Sequence, residues 1–315
     1  MFIRKNKTQF FKLIIFFLPI IVGVGYIEYR LSLIPNSYNF KRSTFEQKLD
    51  SYEILILGSS HAFSGINPAY LNKSAFNLAN SSQDLFYDYQ LLKKYLERLS
   101  SLKLVIVTLS YFSLEYELQH SSQEYWRQYY YFRFWEIPRL NSRMFDVKNF
   151  SLIRLYTPQL TIDYIKNNFQ TNLATYINEY GWNNYVGSDT ENLSLSFAKQ
   201  TVARHHNEMF LSSKESNVHL LTELTRELQK RHIQVVFVTL PVYKTYSESV
   251  DSDRYQEMQS SIKRLTEELR VPYVNYFSDY RFNEADYFNV DHFNHQGATK
   301  LTTIINDEII NTLKF

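Results

Sequence analysis

The sequence predicts an α/β protein on a doubly wound, flavodoxin-like parallel sheet of five strands. Short apolar runs recur along the chain, as EILILG (53–58), AFNLA (75–79), LVIVTLS (104–110), IQVVFVTL (233–240) and Val271 to Tyr276. Their apolar residues are continuous rather than alternating, the pattern of strands covered on both faces. Between them lie stretches with apolar residues at helical spacing, and strand, helix, strand alternation is the pattern of a parallel sheet.

Taken in order, EILILG is the first strand and AFNLA the second. Asp84 to Leu99 is a helix carrying Leu85, Tyr89, Leu92, Tyr95 and Leu96 on one side, and LVIVTLS is the third strand. The rhythm then breaks from about Phe112 to Asn207, a stretch dense in aromatics that includes WRQYYYFRFW (126–135). An insertion of this size is expected to cap the end of the sheet where ligands bind. Alternation resumes with a helix over 215–231, the strand at 233–240, a helix over 254–269, the strand at 271–276 and a last helix over 297–313. The predicted organisation is a cytoplasmic tip and anchor (1–30), a linker ending in a short helix (31–52), and one domain (53–315) whose segment 112–207 is the insertion.

Composition narrows the function. With 315 residues, 44% hydrophobic and 21% charged, the chain can bury a full core, which excludes disorder as a class. Aromatics reach 17%, through 26 Tyr and 24 Phe. The net charge is +2, yet Arg4, Lys5, Lys7 and Lys12 stand among the first twelve residues with no acid, so the rest sums to −2. Nucleic acid is therefore not an expected partner. The absence of cysteine removes disulfides, thiol nucleophiles and cysteine-based zinc sites together.

Leu13 to Ile27 (LIIFFLPIIVGVGYI) is uncharged. With Phe10 and Phe11 it measures about 27 Å as a helix, enough to cross a bilayer. A cleavable signal peptide with Gly23 and Gly25 near its cleavage site is the competing reading. The basic cluster precedes the apolar run, so the N-terminus is expected in the cytoplasm and the body outside, in the periplasm or at the cell surface.

Without cysteine, a nucleophile must be Ser, Thr, Asp, Lys or Tyr, and a serine needs a base. Gly58-Ser59-Ser60-His61 follows the first strand, where backbone N–H groups are free to hold an oxyanion. Asn289-Val290-Asp291-His292-Phe293-Asn294-His295 precedes the last helix, so an imidazole there can face the first loop across the same sheet edge.

The blocks ILILGSSH, FNLANSSQD, the strand ending in LSYFS, VVFVTLPVY and DHFNHQGA resemble, in order and spacing, those of the SGNH/GDSL hydrolase superfamily. Within it the likeness is to membrane-anchored envelope proteins, including polysaccharide O-acetyltransferases and D-alanyl-teichoic-acid transfer proteins, in which GSS replaces GDS. The resemblance covers 53–110 and 233–313. It implies Ser60 as nucleophile, His292 as base, and an oxyanion hole from the N–H groups of Ser60 and of Ser82, which stands where the family has a glycine. It also implies an envelope glycan as substrate and a multi-pass membrane acyltransferase as partner, with no cofactor.

Two positions depart from that pattern. The family's aspartate three residues before the histidine is Asn289 here, which leaves Asp291, Asn289 or neither to orient the base. The family's Gly-x-Asn is Ser110-Tyr111-Phe112, which leaves Ser110, Asn80 or nothing for that oxyanion role. Plainer roles stand beside these. Ser60 can serve as a helix N-cap, His292 or His295 as a surface loop residue, and Tyr125, Trp126, Tyr129 and Trp135 as core rather than sugar-stacking rings. His292-x-x-His295 with Asp291 lacks further ligands at metal spacing, so no metal is expected. The expectation is a serine-dependent O-acyl transferase or esterase, with an inactive glycan-binding or assembly scaffold as the alternative.

Overall fold

The apolar runs pair as five parallel strands, β1 (Ile54–Leu57), β2 (Ala75–Asn77), β3 (Leu104–Thr108), β4 (Gln234–Thr239) and β5 (Tyr273–Asn275), in the order β2-β1-β3-β4-β5. In this computed structural model the described residues are 2–138, 146–170, 176–184 and 190–313. Every residue of β1, β2 and β3 is buried, as the unalternating sequence of those strands requires. Side chains still divide by the period of two. Ile54, Ile56, Leu104, Ile106, Val236 and Val238 share a core with Ala62, Phe63, Leu301 and Ile305, from the helices Ser60–Gly65 and His295–Ile305. On the other side, the helix Lys214–Lys230 packs on both Leu85–Tyr95 and Ser252–Leu269.

β2 lies on one side of β1 and β3 on the other, so the chain reverses its direction of winding between β1 and β3. A crevice opens beyond the carboxyl ends of the strands at such a point. The loops after β1 and β3 therefore meet there, carrying Ser59 and Ser60 on one and Ser110 on the other.

The chain divides into two compact units, 37–139 with 176–315, which holds the sheet, and 1–36 with 140–175. The stretch expected as a linker belongs partly to the first of these. Its helix Ser37–Phe45 buries Tyr38, Lys41 and Phe45. Lys41 Nζ donates to the Ala79 carbonyl and lies 4.1 Å from the Phe63 ring centre. Burial pushes that amine well below the usual lysine range. In the second unit the helix Phe2–Ser32 contains a 22-residue stretch, Phe11–Ser32, long and apolar enough to cross a membrane.

Of the aromatic segment, Tyr129 and Trp135 are buried while Tyr125 and Trp126 are exposed. The first pair is core, and only the second is open to a ligand.

Candidate active site

Gly58 ends β1 at φ 136°, a backbone conformation that L side chains rarely adopt. A Cβ there would stand 1.9 Å from Thr108 Oγ1, and the Gly58 N–H donates to Asp88 Oδ1 at 3.0 Å. The tight turn delivers Ser59 as the N-cap of the helix Ser60–Gly65, without a side-chain cap bond. Ser60 is thus the first helical residue, not the cap, and its N–H has no acceptor within the helix. Asn77, from the AFNLA run, holds the far end of this helix by donating from Nδ2 to the carbonyls of Ala62 and Ile66, both at 2.8 Å.

Ser60 Oγ lies 2.9 Å from His292 Nε2. His292 Nδ1 lies 3.0 Å from Asp291 Oδ1 and 3.1 Å from Asn289 Oδ1. Both candidates for the orienting role therefore stand within hydrogen-bond reach of the same ring nitrogen. Asn289 Oδ1 also accepts the backbone N–H groups of Asp291 (3.2 Å) and His292 (2.9 Å), an Asx turn that bends the loop enough for neighbouring side chains to meet. Burial pushes the Asp291 carboxyl up, but the electrostatic pull and hydrogen bond of His292, with the hydrogen bond of His61, outweigh it and hold the acid well below the usual range. An ionised Asp291 can only accept, so the proton sits on Nδ1 and Nε2 is left as acceptor for the Ser60 hydroxyl. That is the arrangement a serine needs to become a nucleophile.

A second chain of hydrogen bonds reaches Asp291 from beneath. His61 Nε2 stands 3.4 Å from Asp291 Oδ2, His61 Nδ1 is 3.0 Å from Ser110 Oγ, and Ser110 Oγ is 3.1 Å from Ser59 Oγ. With an ionised acid at one end, the order is fixed. Ser59 donates to Ser110, Ser110 to His61, and His61 to Asp291. His205 completes the surround, with Nε2 3.7 Å from Asp291 Oδ2 and Nδ1 2.7 Å from the Tyr246 hydroxyl. Burial lowers both imidazoles despite the nearby carboxylate, His205 to about 3, so both stay neutral around one anion.

Ser60 and His292 open onto a cavity of about 240 Å³. Its wall includes Ser81 and Ser82 from the loop after β2, with Phe112, Tyr116, Gln123, Glu124, Arg127, Arg204 and Glu208 from the segment after β3. Two of these charges are matched, Arg127 by Glu124 at 2.5 Å, and two of the donors to Glu208 come from Ser122.

The remaining expected residues divide. Ser82 lines the cavity at φ 53°, the left-handed conformation for which a glycine would be the usual choice. Asn80 is buried, its Oδ1 accepting the Ser81 N–H at 2.9 Å. Ser110 is spent on His61 beneath the site and does not line the cavity. His295 turns away to the Trp182 ring, 5.3 Å between centres.

His61 and His205 are the residues that sequence reasoning missed. His61 lay within the GSSH block without a role assigned to it. His205 sits in the Arg204-His205-His206 run of the helix Leu195–Asn207, where no spacing connects it to a loop 86 residues later. Among the described residues, His61, Asp291 and His292 are a group whose ligand atoms lie within 4.8 Å of one another and could hold a metal ion. The histidine pair at 292 and 295 does not form such a group, and in the present arrangement these atoms bond each other directly.

Compared with known proteins, the chain matches no family model and no curated sequence. Among solved structures it overlaps a GDSL-like lipase from Bacteroides thetaiotaomicron, with a TM-score of 0.40 and 11% identity over 88% of this chain and 100% of that one. It also overlaps a lipase/acylhydrolase from Enterococcus faecalis, with a TM-score of 0.39 and 10% identity over 84% and 97%. At such values the overlap adds no weight to a role for any residue, and the functional assignment rests on the geometry around Ser60.

Proposed function

We propose that this protein is a serine-dependent acyl-transfer enzyme of the SGNH/GDSL kind, an O-acyl transferase or esterase acting outside the cytoplasmic membrane on a cell-envelope polysaccharide. The observation that carries the proposal is the run Ser60 Oγ, His292 Nε2, His292 Nδ1, Asp291 Oδ1, in hydrogen-bond contact throughout at the mouth of a cavity. Ser60 Oγ attacks the acyl carbonyl while His292 Nε2 takes its proton. The negative charge on the carbonyl oxygen is held by the N–H groups of Ser60 and Ser82. His292 returns the proton to the departing alcohol, leaving an acyl group on Ser60. A sugar hydroxyl or water, deprotonated by His292, then attacks that ester and frees the serine.

The cavity wall favours a short acyl group and a hydroxylated acceptor. Phe112 and Tyr116 bring aromatic rings to the wall, while Gln123, Glu124, Arg127, Arg204 and Glu208 are polar or charged. A chain anchored by its N-terminal helix, N-terminus inside, would receive acyl groups from a multi-pass acyltransferase in the same membrane. The scaffold alternative arose from the missing acid at position 289, and Asp291 beside Nδ1 favours the enzyme over it. The test is hydrolysis of a chromogenic acetyl ester by the full chain in detergent, with labelling by a fluorophosphonate. Ester turnover and labelling, both absent in Ser60→Ala, support the assignment. Turnover unchanged in Ser60→Ala overturns it.

A further inference from the structure

The unit formed by 1–36 and 140–175 holds apolar surface that the acyl-transfer chemistry does not use. Its helix Pro158–Lys166 has three sides. Thr161 and Tyr164 are buried, and the Tyr164 hydroxyl donates to the Arg30 carbonyl at 3.2 Å. Gln159, Asp163 and Lys166 form an exposed polar side, while Pro158, Ile162 and Ile165 line an exposed apolar one at i, i+4, i+7 spacing. Phe150, 59% exposed, and Val147 are further exposed apolar residues just before the helix Leu152–Leu155.

This surface is fastened to the outer end of the apolar helix. Glu28 accepts from Ser151 Oγ (2.5 Å) and from the N–H groups of Leu152 (2.7 Å) and Ile153 (3.2 Å). Arg30 donates to the Phe169 carbonyl (2.9 Å) and the Tyr26 hydroxyl (3.0 Å), with its guanidinium over the Phe169 ring. The Glu28 carboxylate and both terminal nitrogens of Arg30 thus find partners within the protein, which lowers the cost of seating them at the headgroup level. Tyr26 and Tyr29 are exposed at the same level, where aromatic side chains collect in membrane proteins.

We propose that residues 147–166 are an interfacial element that lies in the headgroup layer of the membrane crossed by the helix Phe2–Ser32, with Phe150, Ile162 and Ile165 inserted among the lipids. The occupant is the bilayer, because the surface is continuous with a helix end that itself leaves the bilayer at Tyr26 to Arg30. A helix with one apolar and one polar exposed side is the form that lies along such an interface. The inference rests on the membrane-anchor reading of Phe2–Ser32.

The chain contains no cysteine, so single-cysteine variants of the full protein take one probe each. F150C, I162C and I165C, with I15C in the apolar helix, would carry an environment-sensitive fluorophore in phosphatidylcholine–phosphatidylglycerol vesicles. For the first three probes the expected result is a blue-shifted emission, quenched by lipid bearing a nitroxide near the headgroup and protected from iodide. The I15C probe should be quenched by a nitroxide deep in the acyl chain. Quenching at Ile15 with the other three open to iodide and untouched by lipid quenchers overturns the interfacial element while leaving the anchor. No lipid quenching at Ile15 overturns the anchor, and the proposal with it.

Discussion

Asn289 Oδ1 accepts the backbone N–H of His292 at 2.9 Å and stands 3.1 Å from the same residue's ring Nδ1. One carbonyl oxygen thus shapes the turn and helps orient the base. Asn289→Ala should lower kcat about 10- to 100-fold with little change in KM, the loss coming from a base held less firmly. Asn289→Asp restores the residue expected from the family but sets a second carboxylate against Asp291, and like charges that close cannot both ionise. Its activity should fall below wild type at neutral pH, with the acid limb of the rate profile moved upward. An Asn289→Asp enzyme faster than wild type, measured as ester hydrolysis, would show that Asp291 is not the orienting acid.

Asp291→Ala should cost about 10⁴-fold in kcat, as expected when the acid behind a catalytic histidine is lost. Ser60→Ala should cost at least about 10⁴-fold, and the two losses should not add, since the residues act as one unit. A double variant markedly slower than Ser60→Ala alone would contradict this.

The turn that presents Ser60 depends on Gly58. An alanine there meets Thr108 Oγ1 at 1.9 Å and must hold φ 136°, so Gly58→Ala should destabilise the fold by more than about 2 kcal/mol. Gly58→Ala combined with Thr108→Ser should remain destabilised, because the backbone conformation persists and the serine keeps its Oγ. Urea denaturation would measure both.

The sheet was legible because its strands are buried on both faces and so stand out as unbroken apolar runs. Ser60 and His292 were legible because each lies in a loop at the same sheet edge, where chain order alone brings them near. The joint work of Asn289 and Asp291 was not, since it depends on an Asx turn whose bend no spacing reveals. His205 was hidden for a different reason. It comes from a helix in the segment without βαβ rhythm, and only tertiary packing carries it to Asp291. The helix Ser37–Phe45 was read as the end of a linker because its polar, mixed sequence conceals a spaced set of buried residues, Tyr38, Lys41 and Phe45.

His205 lines the cavity and also stands beside Asp291, and a role through Asp291 would make it a positioning residue. His205→Phe removes the donor beside Asp291 Oδ2 and should lower kcat about 10-fold with KM nearly unchanged, whereas His205→Gln, which keeps an N–H, should recover part of the rate. Equal rates in the two variants, by steady-state ester hydrolysis, would mean that the side chain only fills space.

The same histidine should shape stability against pH. His205 is lowered from 6.5 to about 3 by burial, and His61 is lowered too, so each contributes stability that is present above about pH 6.5 and drains away as pH falls and the unfolded imidazole takes up a proton. Asp84 and Asp88 work in the opposite sense. Burial raises them to about 6 and about 7 from 3.8, so their contribution is complete below pH 3.8 and is lost as pH rises through the folded values. Near pH 5 the unfolded chain carries a proton on His205 that the folded chain lacks, while the folded chain holds protons on Asp84 and Asp88 that the unfolded chain lacks, so the two sets oppose each other. Below about pH 4 stability should fall, as unfolded Asp291 takes up a proton that the fold holds off, while Asp84 and Asp88, protonated in both states, add no further change. His205→Gln removes one unfolded-state proton, so near pH 5 its stability relative to wild type should rise as pH falls, with a slope approaching about 1.4 kcal/mol per pH unit. Urea unfolding of both proteins at pH 4.5, 5.5 and 7 would decide it, and parallel curves would mean that His205 is not held neutral in the fold.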